Sequence, residues 1–140
     1  MKNTEAAWLA GLWDGEGSIT VFRHTEKNGT RKLCPTMLVV NTDINIISEA
    51  KRLLDEIGTS YHIFERRTSN PRHKNAFQLS TRNTAYIKLT LETLLPYLVG
   101  KKKQAELTLQ YVNKRAKQWA IDEQDEATQE AIQALNKRGK

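Results

Sequence analysis

The apolar residues of this chain change period several times, and each change marks an element. From Thr4 to Asp14 they follow helical spacing, with Thr4 a candidate N-cap and Gly15 and Gly17 breaking the run. Residues 18–25 then alternate, Ile19 and Val21 to one side and Ser18, Thr20, Phe22 and His24 to the other, which is the period of a half-buried strand. Glu26 to Thr30 contains the hairpin signal Asn28-Gly29, and residues 33–41 form the partner strand. Pro35 points to an irregular start or an edge position for that strand. Thr42 or Asp43 caps a second helix, whose positions Ile44, Ile47, Leu54 and Ile57 share an apolar face and which Gly58 closes. A second strand pair, 61–65 and 76–80, is joined by a polar, basic link from Arg66 to Asn75. Residues 83–95 form a third helix halted by Pro96, and helices at about 101–119 and 124–137 complete the chain.

This order predicts a single α+β domain over residues 1–140, with a four-stranded antiparallel sheet. The repeated strand-strand-helix unit points to pseudo-symmetry, although the two halves do not match in sequence. One sheet face packs on helices. The other is expected to carry Ser18, Thr20, Phe22, His24, Lys74, Gln78 and Ser80. Such a face is commonly just solvated, but flanked by basic loops it also suits reading base edges in a major groove.

Charge sharpens the picture. The formal net charge is +6, unevenly spread: residues 122–140 hold five acids and three bases, leaving +8 on the rest. A basic body favours a polyanion, either nucleic acid or an anionic membrane surface. Cys34 is the only cysteine, so no internal disulfide forms and a reducing, intracellular compartment is expected. No signal-type leader is visible, and no apolar run approaches the ~18 residues of a membrane span. His24, His62 and His73 lack the spacing of a zinc site.

The chemistry concentrates in Leu9-Ala10-Gly11-Leu12-Trp13-Asp14-Gly15-Glu16-Gly17. Gly11 inside a helix costs about 1 kcal/mol against Ala. Ala7, Gly11 and Gly15 share one helical face, and a face of hydrogens and methyls lets a second helix come very close. Two such helices bring their carboxylate ends together, a natural site for a hard divalent cation. Asp14 and Glu16 are anions at the helix end that favours cations, and a bound metal is the simplest offset. Glu16 is the first candidate ligand, with the Gly15 carbonyl as a second oxygen; Asp14 either caps or orients the turn or supports the metal ligands from behind. Lys101-Lys102-Lys103 opens a later helix, as a solvated basic face or as the source of one lysine that reaches a phosphate. Carboxylate, metal and lysine are the parts needed to hydrolyse a phosphodiester.

The segment Leu9 to Gly17, reading LAGLWDGEG and followed by Ser18-Ile19, resembles the motif that names the LAGLIDADG homing endonucleases. Trp13 replaces a usually smaller apolar residue, and Glu16 stands where Asp is more common. Leu53 to Gly58 and Leu98 to Ala105 also look like segments of the single-motif members. The resemblance covers a core of about residues 4–115 and leaves a C-terminal helical extension of about 116–140. It implies an α-β-β-α-β-β-α core, a homodimer on double-stranded DNA rather than a small-molecule substrate, and cleavage of both strands at a palindromic or near-palindromic site. Mg2+ is the implied ion, with Ca2+ or Mn2+ able to replace it. By the same resemblance Glu16 and Gly15 bind metal, Asn41 or Thr42 positions water, and Lys101 assists catalysis. The implied dimer seam is Ala7, Leu9, Ala10, Gly11, Leu12, Asp14 and Gly15. Thr20, Phe22, His24 and Gln78 match DNA-contacting strand positions, and Arg66, Arg67 and Arg72 add contacts from the link. Some members carry an arginine in the second helix where this chain has Ile46 and Ile47. The scaffold also serves intron-splicing maturases that bind RNA, and DNA-binding regulators without chemistry; the intact Gly15-Glu16 pair and Lys101 favour cleavage.

Overall fold

The structure, a computed structural model, describes residues 1–117 and 120–138. The elements run α1 (Asn3–Glu16), β1 (Gly17–Thr25), β2 (Arg31–Asn41), α2 (Ile44–Ile57), β3 (His62–Arg66), β4 (Ala76–Thr81), α3 (Thr84–Leu94), a short 3-10 turn (Leu95–Tyr97), α4 (Lys102–Arg115) and α5 (Glu123–Arg138). The strands form one antiparallel sheet in the order β1-β2-β4-β3. The predicted element order and sheet are therefore present. The end of the fourth predicted helix, residues 118 and 119, lies outside the described residues. Among the described residues no helix is long and apolar enough to cross a membrane.

The sheet buries its odd-numbered β1 and β2 positions. Ile19, Val21, Met37 and Val39 join Leu79 from β4 against Leu9, Ala10 and Trp13 of α1, Ile47 and Leu54 of α2, and Leu91 and Leu94 of α3. Helix ends follow local chemistry. Asp43, not Thr42, caps α2, accepting from the Asn45 N–H at 2.8 Å, and Gly58 ends the helix at φ 88°, the left-handed conformation glycine adopts without penalty. Asn83 caps α3 through the Ala85 N–H at 2.9 Å. The expected cap at Thr4 is displaced: α1 starts one residue earlier, and the Glu5 carboxylate accepts the Lys2 N–H at 3.0 Å.

Two junctions differ from the sequence reading for identifiable reasons. α1 does not break at Gly15; it continues through Glu16 and passes into β1 at Gly17 without a loop. Trp13 makes this possible, because its indole N–H donates to the Ser18 carbonyl at 3.2 Å while the ring lies under Gly17. A Cβ on Gly17 would sit 2.6 Å from Trp13 Cδ1. With φ at −97°, the demand on Gly17 is for space and not for an unusual backbone.

Pro35 lies in a strand with neighbours on both sides, yet no ladder is broken. Pairing of β2 with β4 stops at Met37 opposite Thr81, so no strand adjoins Pro35 on that side. On the other side Pro35 faces Val21, whose carbonyl points away to the free edge of β1 and accepts from Gln129 of α5 at 3.1 Å. α5 covers that edge two turns further on as well, where Asn136 donates to the Ile19 carbonyl at 3.2 Å. The extension beyond residue 115 thus stands in for a strand that β1 lacks.

Gly17→Ala is expected to destabilise the fold by about 1–3 kcal/mol, because a fully buried indole must move. Urea unfolding monitored by tryptophan fluorescence checks this, with Gly29→Ala, whose new methyl meets nothing within 4 Å but whose φ is 86°, as a comparison for backbone cost.

Candidate active site and nucleic-acid interface

Glu16 is the last residue of α1 and is exposed. The sheet register pairs Gly17 with Val39, which brings the end of β2 alongside it. Asn41 there donates its side-chain amide to Glu16 Oε2, while its own Oδ1 accepts the Asp43 N–H at 2.7 Å. That second bond fixes which end of the amide faces the carboxylate. Of the two polar candidates at this corner, Asn41 is the one in contact with Glu16; Thr42 is exposed one residue beyond.

Asp14 is placed differently from the expectation. Its Oδ2 accepts the Val99 N–H and its Oδ1 the Lys101 N–H, each at 2.8 Å, and Lys101 Nζ donates to the Asp14 carbonyl at 2.8 Å. The carboxylate therefore sits at the N-terminal end of α4 and the ammonium at the C-terminal end of α1, so each helix end receives the charge its dipole favours. The N–H groups of its own chain already offset the Asp14 charge. Glu16 is left as the acid facing solvent.

A hard divalent ion needs several oxygens. Among the described residues no group of three or more His, Cys, Asp or Glu side chains is placed to hold one. Glu16 and the Gly15 carbonyl, in the last turn where backbone oxygens lack helical partners, are chemically suited donors but do not complete a shell alone. A cleft of about 810 Å³ adjoins this corner, lined by Asp14, Lys101, Gln104, Gln133, Asn136 and Lys137 among others.

The outward face of α1 carries Ala7, Trp8, Gly11 and Gly15, with Leu12 partly covered. A Cβ at Gly11 or Gly15 would meet nothing within 4 Å. Leu9 and Ala10, expected in the seam, are 0% exposed and belong to the chain's own core. Fully covered by their own chain, they leave no surface for a partner to touch. Trp8, 40% exposed, was missed; its spacing of three from Gly11 was the available signal.

Directly paired residues share a sheet face. The outer face therefore carries Ser18, Thr20, Phe22 and His24 from β1, Leu38, Thr36, Cys34 and Lys32 opposite them, Gln78 and Ser80 from β4, and His62, Phe64 and Arg66 from β3. Ser80 is only 5% exposed and offers little to a ligand, and Lys74 lies in the link before β4 and not on the sheet. Phe22 and Phe64 are 52% and 58% exposed. Lys32, His62 and Phe64 were missed, because strand parity identifies them only once the register is known. Arg67 lies 3.8 Å from Glu65, and Arg72 is on a turn closed by Asn70, which accepts the Arg72 N–H at 3.0 Å.

With this geometry in hand, the LAGLIDADG-like domain model matches residues 3–94, and the chain belongs to the LAGLIDADG family. No curated protein matches it. Among solved structures it resembles the homing endonuclease I-CvuI in complex with the I-CreI target, at 21% identity over 94% of this chain and 82% of that one, TM-score 0.70. It also resembles the archaeal intron-encoded homing endonuclease I-Vdi141I complexed with DNA, at 12% identity over 96% and 86%, TM-score 0.77. The homing endonuclease I-TnaI matches at 14% identity over 100% and 99%, TM-score 0.66. At these identities the likeness is one of fold, and in the last case it includes α4 and α5, beyond the family match.

Asp14→Ala leaves the Val99 and Lys101 N–H groups without their acceptor. A stability loss of about 1–2 kcal/mol is expected, the usual size for a lost helix cap, and chemical denaturation of the purified protein measures it.

Proposed function

We propose that this protein is a site-specific, divalent-metal-dependent endonuclease acting on double-stranded DNA as a homodimer. The observation that carries the reading is the exposed Glu16 carboxylate, held by Asn41 at the tip of a helix whose outward face carries Ala7, Gly11 and Gly15 beside an exposed Trp8. Gly11 weakens a helix by about 1 kcal/mol and nothing in its own chain requires it. A second copy packed along that face gives it a reason, and brings two Glu16 side chains to the axis.

The basic body and the outer sheet face support DNA as the partner. DNA lying on that face meets Thr20, Phe22, His24, Arg66 and Gln78, with Arg67 and Arg72 toward its phosphates. A divalent ion at the axis, with Mg2+ the first choice, would lower the pKa of the attacking water and neutralise the leaving oxygen. Glu16 and the Gly15 carbonyl would hold it. Asn41 keeps the Glu16 carboxylate pointed at the axis. Lys101, whose ammonium stands on the Asp14 carbonyl close by, is placed to balance charge on the phosphate once DNA is bound.

Glu16→Gln is expected to retain DNA binding and to lose cleavage by about a hundredfold or more, the scale of a removed electrostatic contact to a transition state. Gel shift and plasmid cleavage with Mg2+ read the two separately, and cleavage at the unsubstituted rate would remove Glu16 from the chemistry.

Gly11→Leu tests the dimer. Its side chain enters open space in one chain, so the melting temperature at low concentration should hold or rise, while sedimentation should shift from dimer to monomer. A dimer that survives this substitution refutes the α1 seam.

A further inference from the structure

Arg66 and Gln78 meet across β3 and β4 on the outer face. Arg66 Nε–H donates to Gln78 Oε1 at 2.9 Å, and its Nη2 donates to the same oxygen. The register favours this pairing. Arg66 lies opposite Ala76, whose methyl leaves room for a guanidinium to lie across β4, and Gln78 lies between Phe64 and Val40, whose side chains offer its amide no acceptor.

The consequence is chemical. A glutamine reads adenine by donating to N7 and accepting from the N6 amino group. Here Gln78 Oε1 already accepts two N–H groups from one guanidinium, which stands beside it and shields it from a further donor. What the pair presents outward is N–H only, from the Gln78 amide and from the rest of the Arg66 guanidinium. A surface of donors alone suits a base edge of acceptors alone. In the major groove guanine offers O6 and N7, whereas adenine and cytosine each present an amino hydrogen that the pair cannot accept.

We propose that Arg66 and Gln78 act as one reading unit that selects guanine at one pair of two-fold-related positions in the DNA target. The proposal rests on the DNA-endonuclease reading above and goes beyond it by naming the base and the two residues that choose it. Arg66 orients Gln78 by occupying its acceptor, and Gln78 in turn holds the guanidinium toward the groove.

The test is selection of bound duplexes from a randomised pool by the full-length protein, compared with Arg66→Met and Gln78→Met. The unsubstituted protein should enrich guanine about tenfold over adenine at one symmetric pair of positions, the scale of a good bidentate contact. Arg66→Met returns the acceptor to Gln78, so the same positions should turn to adenine while the rest of the target is unchanged. Gln78→Met should reduce the guanine enrichment there. Both side chains lie on the sheet surface, and a thermal melt of each variant verifies folding. Adenine preferred at those positions by the unsubstituted protein, or a target unaltered by Arg66→Met, would overturn the proposal. Full guanine enrichment in Gln78→Met would overturn the paired mechanism and leave Arg66 acting alone. Absence of any sequence-selective binding by the unsubstituted protein would bring down the endonuclease reading itself, and this proposal with it.

Discussion

Two helix ends exchange charges at the centre of this molecule. The Asp14 carboxylate accepts the N–H groups of Val99 and Lys101 just ahead of α4, and the Lys101 ammonium closes a last carbonyl of α1. Either ion alone would sit at the wrong end of its own helix, since α1 would finish on an acid and α4 would open on a base. Crossed over, each meets the opposite pole. The exchange ties the tip that carries Glu16 to the helix that carries Lys101, although 85 or more residues separate the bonded groups in sequence. It also restricts both side chains without burying them deeply, which is what a site open to a large polyanion needs.

The rest of the architecture serves that corner. Trp13 under Gly17 turns α1 straight into β1, so Glu16 stands at the rim of the sheet with no flexible link on its C-terminal side. α5 braces the same strand from the other edge, where Gln129 and Asn136 take up the Val21 and Ile19 carbonyls that a further strand would have taken. Asn136 also accepts from Gln104 of α4 at 3.4 Å, so the brace and the helix behind Lys101 are joined. The Gln129 and Asn136 amide N–H groups keep the two strand carbonyls paired, while Gln129 Oε1 is itself buried without a hydrogen-bond partner among the described residues. The acidic, net negative C-terminal segment meets the basic body directly: Glu126 and Glu130 face Arg23, at 2.5 and 3.5 Å.

Much of this was legible in local patterns. The alternation of residues 18–25, the Asn28-Gly29 turn, the cap and stop of α2 at Asp43 and Gly58, and the halt of α3 before Pro96 each rest on neighbours within a few positions. Glu16 and Lys101 stood out as chemistry out of place with its helix. Side-chain cover was not legible: the resemblance puts Leu9 and Ala10 in the seam with Gly11, yet both are wholly enclosed by their own chain. Ser80 looked accessible by strand parity, but parity says which face and not how much its neighbours cover.

The sequence by itself determined which segments are helix and strand, which side of each is apolar, and that a carboxylate pair follows a helix face of small residues, because propensity and periodicity act over a few residues. Only the tertiary structure decided what each acid does. Asp14 and Glu16 are two residues apart and chemically alike, yet one is taken up by the N–H groups of Val99 and Lys101 and the other is left facing solvent beside Asn41. That division depends on the β1–β2 register and on where the Val99–Lys101 segment meets the end of α1, contacts between distant parts of the chain whose geometry no local pattern carries.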